Sequence, residues 1–150
     1  MLGTLSSPQI EALLTAEIVG RIGCSDQSKT YIIPITYVFK GNCIYAQSQP
    51  GHKIDTMRKN PNVCFQVDSI ENQENWRSVI TWGTYEEIND ASTYEKAYRI
   101  LYDRLLPMHT NTVSRGGLDL SRAPLEVDKR SKPILFRIRI SELSGRFEKE

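Results

Sequence analysis

Tyr31 to Asp68 reads YIIPITYVFKGNCIYAQSQPGHKIDTMRKNPNVCFQVD, and the order of elements within it decides the fold. A β-rich run, Tyr31 to Phe39, carries Pro34 inside it. Lys40-Gly41-Asn42 supplies turn chemistry, and a second short strand runs from Cys43 to about Ser48, so the pair reads as a hairpin. Gln49-Pro50-Gly51 breaks that strand. His52 to Lys59 is then helical, with Ile54 and Met57 on one side, and Asn60-Pro61 stops it because proline disfavours helix in the residue before it. Asn62 to Asp68 alternates, with Val63, Phe65 and Val67 facing one way and Cys64, Gln66 and Asp68 the other.

Strand, Gly, basic residue and helix in that order makes a physically sensible anion site. A helix start has unpaired backbone N–H groups and a partial positive charge, and Gly51 lets a ligand approach the backbone. Lys53 adds a full charge in the first turn. The alternative is a lysine that is merely solvated, since a single Gly-x-Lys is a weak motif.

Working outward, Ser7-Pro8 is a helix start, with Ser as N-cap and Ile10, Leu13 and Leu14 on one face through Ala16. Glu17 to Cys24 reads as a strand. Pro34 cannot donate a ladder hydrogen bond, so its strand is expected at an edge or a bulge there. Ser69 to Asn75 is a polar loop. Trp76 to Ile88 is the longest β run, Gly83 suggests a bulge, and Trp76, Ser78, Ile80 and Trp82 share a face. Ser92 to Glu95 forms a capping box for a helix ending near Leu106, with an apolar stripe of Tyr94, Ala97, Tyr98, Leu101 and Leu105. Met108 to Lys132 reads as a long loop. Pro133 to Ser141 is a strand with Ile134, Phe136, Ile138 and Ile140 on one face, and a charged tail follows. Six strands and three helices without a βαβ rhythm point to a mainly β fold with flanking helices, a mostly antiparallel barrel. Strands apolar on both faces suit a barrel wall covered by a helix or a partner subunit.

The chain's 150 residues suit one domain, 1–150. Nineteen basic side chains against 18 acidic ones, net charge +1, with no basic block, speak against a nucleic-acid or polybasic membrane partner. Nothing approaches the roughly 18 apolar residues of a membrane span, and the first residues lack the basic and apolar regions of a secretory signal. Cys24, Cys43 and Cys64 are widely spaced and odd in number, so buried reduced thiols and a cytoplasmic setting are expected, without disulfides or zinc. His52 and His109 are the only histidines, and no metal cluster, Ser-His-Asp arrangement or G-x-G-x-x-G turn is present. What remains is a barrel with a candidate phosphate site, suited to a phosphorylated planar cofactor whose own ring does the chemistry.

The ordered segments P-I-T-Y (34–37), I-Y-A-Q-S-x-x-G-x-K (44–53), N-P-N-V-x-F-x-V-D (60–68) and W-R-S-V-I-x-x-G (76–83) resemble the pyridoxamine 5′-phosphate oxidase-like split-barrel superfamily. Within it they are most similar to the small flavin-binding proteins of the nitroimidazole-resistance type. The resemblance implies a six-stranded antiparallel split β-barrel and an FMN-binding homodimer with flavin at the subunit interface. It assigns Pro34, Ile35 and Thr36 to the strand along the flavin ring, and Ala46, Gln47 and Ser48 to the strand bordering ring and ribityl chain. His52 and Lys53 match the basic pair at the FMN phosphate, and Ser78 and Val79 the strand position at the flavin edge. Trp76, Trp82 and the loop from Met108 to Lys132 are expected to close the site.

Two departures matter. Gln47 stands where many nitroimidazole-resistance-type members carry His. Tyr31 to Thr36 contains no Arg or Lys, unlike the corresponding strand of the oxidase proper, so pyridoxamine phosphate oxidation is not expected. The function implied is an FMN-dependent oxidoreductase acting on a small molecule by hydride transfer through flavin N5, with no catalytic side chain required. The alternatives are a sensor or carrier that holds flavin without turnover, and a relative that uses deazaflavin or haem.

Overall fold

The computed structural model describes residues 1–108 and 133–150. Its elements are β1 (Leu2–Thr4), α1 (Ser7–Ala16), β2 (Val19–Ser25), β3 (Thr30–Lys40), β4 (Cys43–Ser48), α2 (His52–Lys59), β5 (Asn62–Asn72), β6 (Asn75–Glu87), α3 (Ala91–Leu105) and β7 (Ile134–Glu148). The strands lie in the order β1-β7-β4-β3-β2-β5-β6, and β6 pairs back onto β7, closing a ring of six antiparallel strands with β1 appended outside it. This is the expected split barrel, and the expected segment 108–132 falls, from 109 onward, outside the described residues.

Several boundaries differ from the sequence reading. A seventh strand, β1, pairs with β7 opposite Phe147, whose ring packs over Gly3. The supposed loop at 69–75 is mostly strand, because Ser69 to Asn72 continue β5 and pair with β6 across a two-residue turn. The supposed charged tail is the second half of β7, whose polar residues Glu142, Ser144 and Arg146 are the outward positions of a strand paired with β6. Capping also moves. Ser6, not Ser7, caps α1 in a capping box with Gln9, and Asp90, not Ser92, caps α3 by accepting from Thr93 N–H. In each case the earlier side chain reached the free N–H groups first.

Gly41 and Asn42 both have φ near +60°, the two-residue turn whose twist suits a hairpin. Inside the ring, Ile22, Ile35, Tyr37, Ile44, Phe65, Val67, Val79 and Phe136 form a core closed by Leu13 and Leu14 of α1. Tyr37 stands edge-on to Phe65 at 4.9 Å and donates to the Leu14 carbonyl at 2.6 Å. A second cluster lies on the outer face of β3, β4 and β7, where Val38 and Leu135 meet the stripe of α3.

One feature of this ring positions the site. The β3–β4 ladder starts at Tyr37–Ala46, so Thr30 to Thr36 are paired on the β2 side alone. The edge expected at Pro34 is this unpaired half-strand, and it is where the barrel splits.

Candidate functional site at the split of the barrel

Three residues separate β4 from α2, and the edge-on contact of His52 with Tyr31 at 4.7 Å sets the N-terminus of α2 beside the unpaired half of β3. Gly51 is its N-cap, extended and without a side-chain cap, and a Cβ there would meet nothing within 4 Å. The first N–H groups of α2 are therefore open to an anion. Lys53 is half-buried and has no hydrogen bond or carboxylate partner among the described residues. Burial lowers its pKa, with the nearby Cys24 thiol acting in the opposite sense. A desolvated cation without a counter-charge at an uncapped helix start is a place where an anion binds well. His52 is exposed, its ring edge-on to Tyr31 at 4.7 Å. The helix is held from below by Ile54, Thr56 and Met57, and its far end by Asn60, whose amide donates to the Ser25 carbonyl at 3.0 Å.

The strands beside it present polar groups in a buried setting. Thr36, Gln47 and Ser48 are all buried, and Gln47 is 3% exposed. Ser48 donates to the Gln49 carbonyl at 2.8 Å. Ile35 and Ala46, between them, point into the barrel core. Only their backbones border the split.

Ser78 and Val79 lie elsewhere. Around the ring, β3, β2 and β5 lie between β6 and β4 on one side; on the other, both pair with β7. There Ser78 and Val79 face Arg146 and Gly145, far along β7 from the Ile134–Arg139 stretch that pairs with β4, and Val79 is fully buried in the core. Ser78 faces outward and receives a hydrogen bond from Gln66 at 3.0 Å; Gln66 also donates to Asp68 at 2.9 Å, and Asp68 pairs with Arg21 at 3.2 Å. This network was not foreseen. Alternation groups Gln66 and Asp68 on one face of β5, but nothing in the chain order puts Arg21 opposite them.

The network sits in an apolar surface. Ile32, Gly23, Cys64 and Trp82 form one row across β3, β2, β5 and β6, and Pro34, Arg21, Gln66 and Ile80 form the next. Ile32 is 74% exposed, Val19 43%, Trp82 38% and Ile80 37%, an apolar face uncovered within one chain. Within a single chain, eight of the ten expected residues border the split, and Ser78, Val79 and, from the edge of the split itself, Pro34 lie on or under this face.

The three cysteines are free thiols, Cys24 and Cys43 buried and Cys64 half-buried against Gly23. Among the described residues no His, Cys, Asp and Glu cluster could hold a metal, and no helix is long and apolar enough to cross a membrane. A cavity of about 510 Å³ lies by the β5–β6 turn, lined by Met1, Trp76, Arg77 and Phe147 among others, and none of the ten residues lines it.

Known proteins share this architecture. The sequence profile described as pyridoxamine 5′-phosphate oxidase matches residues 6–147. An uncharacterized Rhizobium meliloti protein, RA0666, is 34% identical over 142 residues, covering 95% of this chain and 92% of that protein. The crystal structure of an FAD-binding protein from Mesorhizobium loti is 30% identical, with TM-score 0.75 and 99% of each chain covered. A candidate 5-nitroimidazole antibiotic resistance protein from Bacteroides thetaiotaomicron shares the fold at 16% identity, with TM-score 0.69 over 98% of this chain and 89% of that one. A split barrel with these residues at its opening, matched by the profile over nearly its whole length, makes the chain a member of the pyridoxamine 5′-phosphate oxidase family.

Proposed function

We propose that this protein binds a flavin, as FMN, at the split between β3, β4 and the start of α2, and uses it as an oxidoreductase on a small molecule. The observation that carries the reading is Lys53, half-buried and without a counter-ion among the described residues, at the uncapped start of α2. A phosphate ester supplies the missing charge, and the residues present fit it. Lys53, His52 and the N–H groups of α2 hold the phosphate, while the open edge of Pro34, Ile35 and Thr36 and the Ala46–Ser48 segment border ring and ribityl chain. The flavin, when bound, supplies hydride transfer at N5. The chain's own residues position it, shield it with α3 and β4, and leave acid–base work to the ring and solvent. Three free thiols accord with a cytoplasmic setting.

The same reading includes a homodimer. Ser78, Ile80 and Trp82 of the outward face are separated from the split within one chain by β2 and β5, while Ile32 and Pro34 of β3 belong to both. A second copy laid on this face would cover its apolar rows and complete the flavin site from across the interface.

The test is a visible absorption spectrum after adding FMN and removing the excess, followed by NADH or NADPH. Flavin bands at about one per chain that bleach on reduction support the oxidoreductase. Bound flavin that neither donor reduces points to a carrier or sensor instead. In Lys53→Ala, FMN affinity should fall about tenfold, the loss of one charge-assisted contact; unchanged affinity would sink the phosphate site.

A further inference from the structure

Five polar residues are buried in the described chain: Thr36, Gln47, Ser48, Thr56 and Thr81. Ser48, Thr56 and Thr81 each donate to a backbone carbonyl, and Thr36 is engaged as well. Gln47 Oε1 alone is buried with no hydrogen-bond partner among the described residues. Gln47 pairs with Leu135, a member of the α3 cluster, so its side chain leaves the strand on the outer face beside α3. Left unpaired there, the amide oxygen is desolvated without compensation.

We infer that Gln47 is the recognition element of the split, its Oε1 accepting a hydrogen bond from an N–H or O–H on the head of the bound ligand. This rests on the flavin reading above and adds a polarity to it. A carbonyl oxygen cannot hold a phosphate, whereas the start of α2 and Lys53 are donors only. The site therefore takes a ligand with an anionic tail and a donor-bearing head. Gln47 and Gly51 are four residues apart, so tail and head sites lie within about 14 Å of each other along the chain. A flavin phosphate meets both demands through its ribityl hydroxyls and ring N–H. The orphaned oxygen is then a group whose cost the free protein bears and the ligand removes, so stability and affinity oppose each other at this position.

Gln47→Met keeps the side-chain length and removes the acceptor. Two quantities are measured, the thermal midpoint of the ligand-free protein and the FMN Kd from flavin fluorescence. Ligand-free Tm should rise by about 3 °C while FMN Kd weakens about tenfold. A Kd within twofold of the parent, or a fall in Tm, overturns the inference. A parent chain that takes up no FMN overturns the cofactor reading and this one together, whereas a parent that binds and an indifferent variant overturns this one alone. The unsubstituted protein gives a second readout that does not depend on the variant folding: the side-chain amide resonances of Gln47 should shift on adding FMN, and resonances that stay in place refute the contact.

Discussion

Gly83 sits where β6 shifts register against β7, at the joint that closes the ring of strands. A Cβ built on it would lie 2.3 Å from the Arg139 carbonyl oxygen and 2.9 Å from both the carbonyl carbon and Ile138 Cγ2. Two of these three atoms are backbone, so no rotamer change relieves the overlap, and β6 must move away from β7. Overpacking in a well-packed site costs about 1–3 kcal/mol, and each ladder hydrogen bond lost adds about 1 kcal/mol. With two such bonds broken, Gly83→Ala should destabilise by about 3–5 kcal/mol, a large part of the 5–15 kcal/mol typical of a domain. At roughly 2–4 °C per kcal/mol for a chain of this size, Tm falls by about 10–15 °C. Gly51→Ala is the control, because its Cβ meets nothing within 4 Å and its backbone is extended. That variant should stay within about 2 °C of the parent. Circular dichroism melts with urea titration measure both. If Gly83→Ala melts within about 3 °C of the parent, the joint is softer than the geometry says and the reasoning fails.

Acid sensitivity should reside partly in two β6 carboxylates. Hydrogen bonds from Arg139 and then Arg137 hold Glu86 below its ordinary pKa, and a hydrogen bond from Arg58 does the same for Glu87. Groups depressed in the folded state contribute stability that is complete above the unfolded value, 4.5, and is lost as pH falls through the folded one. Glu86→Gln should therefore flatten the decline of Tm below that pH while costing little acid-range stability; an unchanged slope would remove these ion pairs from the account. Ile32→Glu places a charge on the most exposed apolar side chain of the outward face among those of β2, β3, β5 and β6. If the proposed homodimer forms through this face, light scattering should show the dimeric parent become a monomer with an unaltered circular dichroism spectrum; a dimeric variant moves the interface elsewhere, and a monomeric parent removes the homodimer.

How much was legible follows from which residues carry local information. α2 was read to the residue because Pro50-Gly51 and Asn60-Pro61 bracket it with backbone constraints that act within one or two residues. β5 was legible through Val63, Phe65 and Val67, whose period of two needs no knowledge of the neighbouring strand. The second half of β7 was missed because Glu142, Ser144 and Arg146 are hydrophilic, yet they lie on the outside of a strand that β6 holds from one side. The cap of α3 went to Asp90 because Asp, Ser and Thr crowd that start, and which of them reaches the free N–H groups depends on where the chain leaves β6.

The sequence by itself determined most of the strands, a helix start with a lysine after one of them, and a chain without metal-cluster or hydrolase motifs, since each rests on spacing within a few residues; the barrel followed from the order of elements and the family motifs. Only the tertiary structure decided that the unpaired half of β3 lies beside that helix start, that Ser78 belongs to a different face with Arg21, and that Gln47 Oε1 is buried without a partner among the described residues. Pairing between strands far apart in sequence and the desolvation of a single amide are set by the packed neighbours of a residue. Those neighbours come from distant parts of the chain and leave no trace in its local pattern.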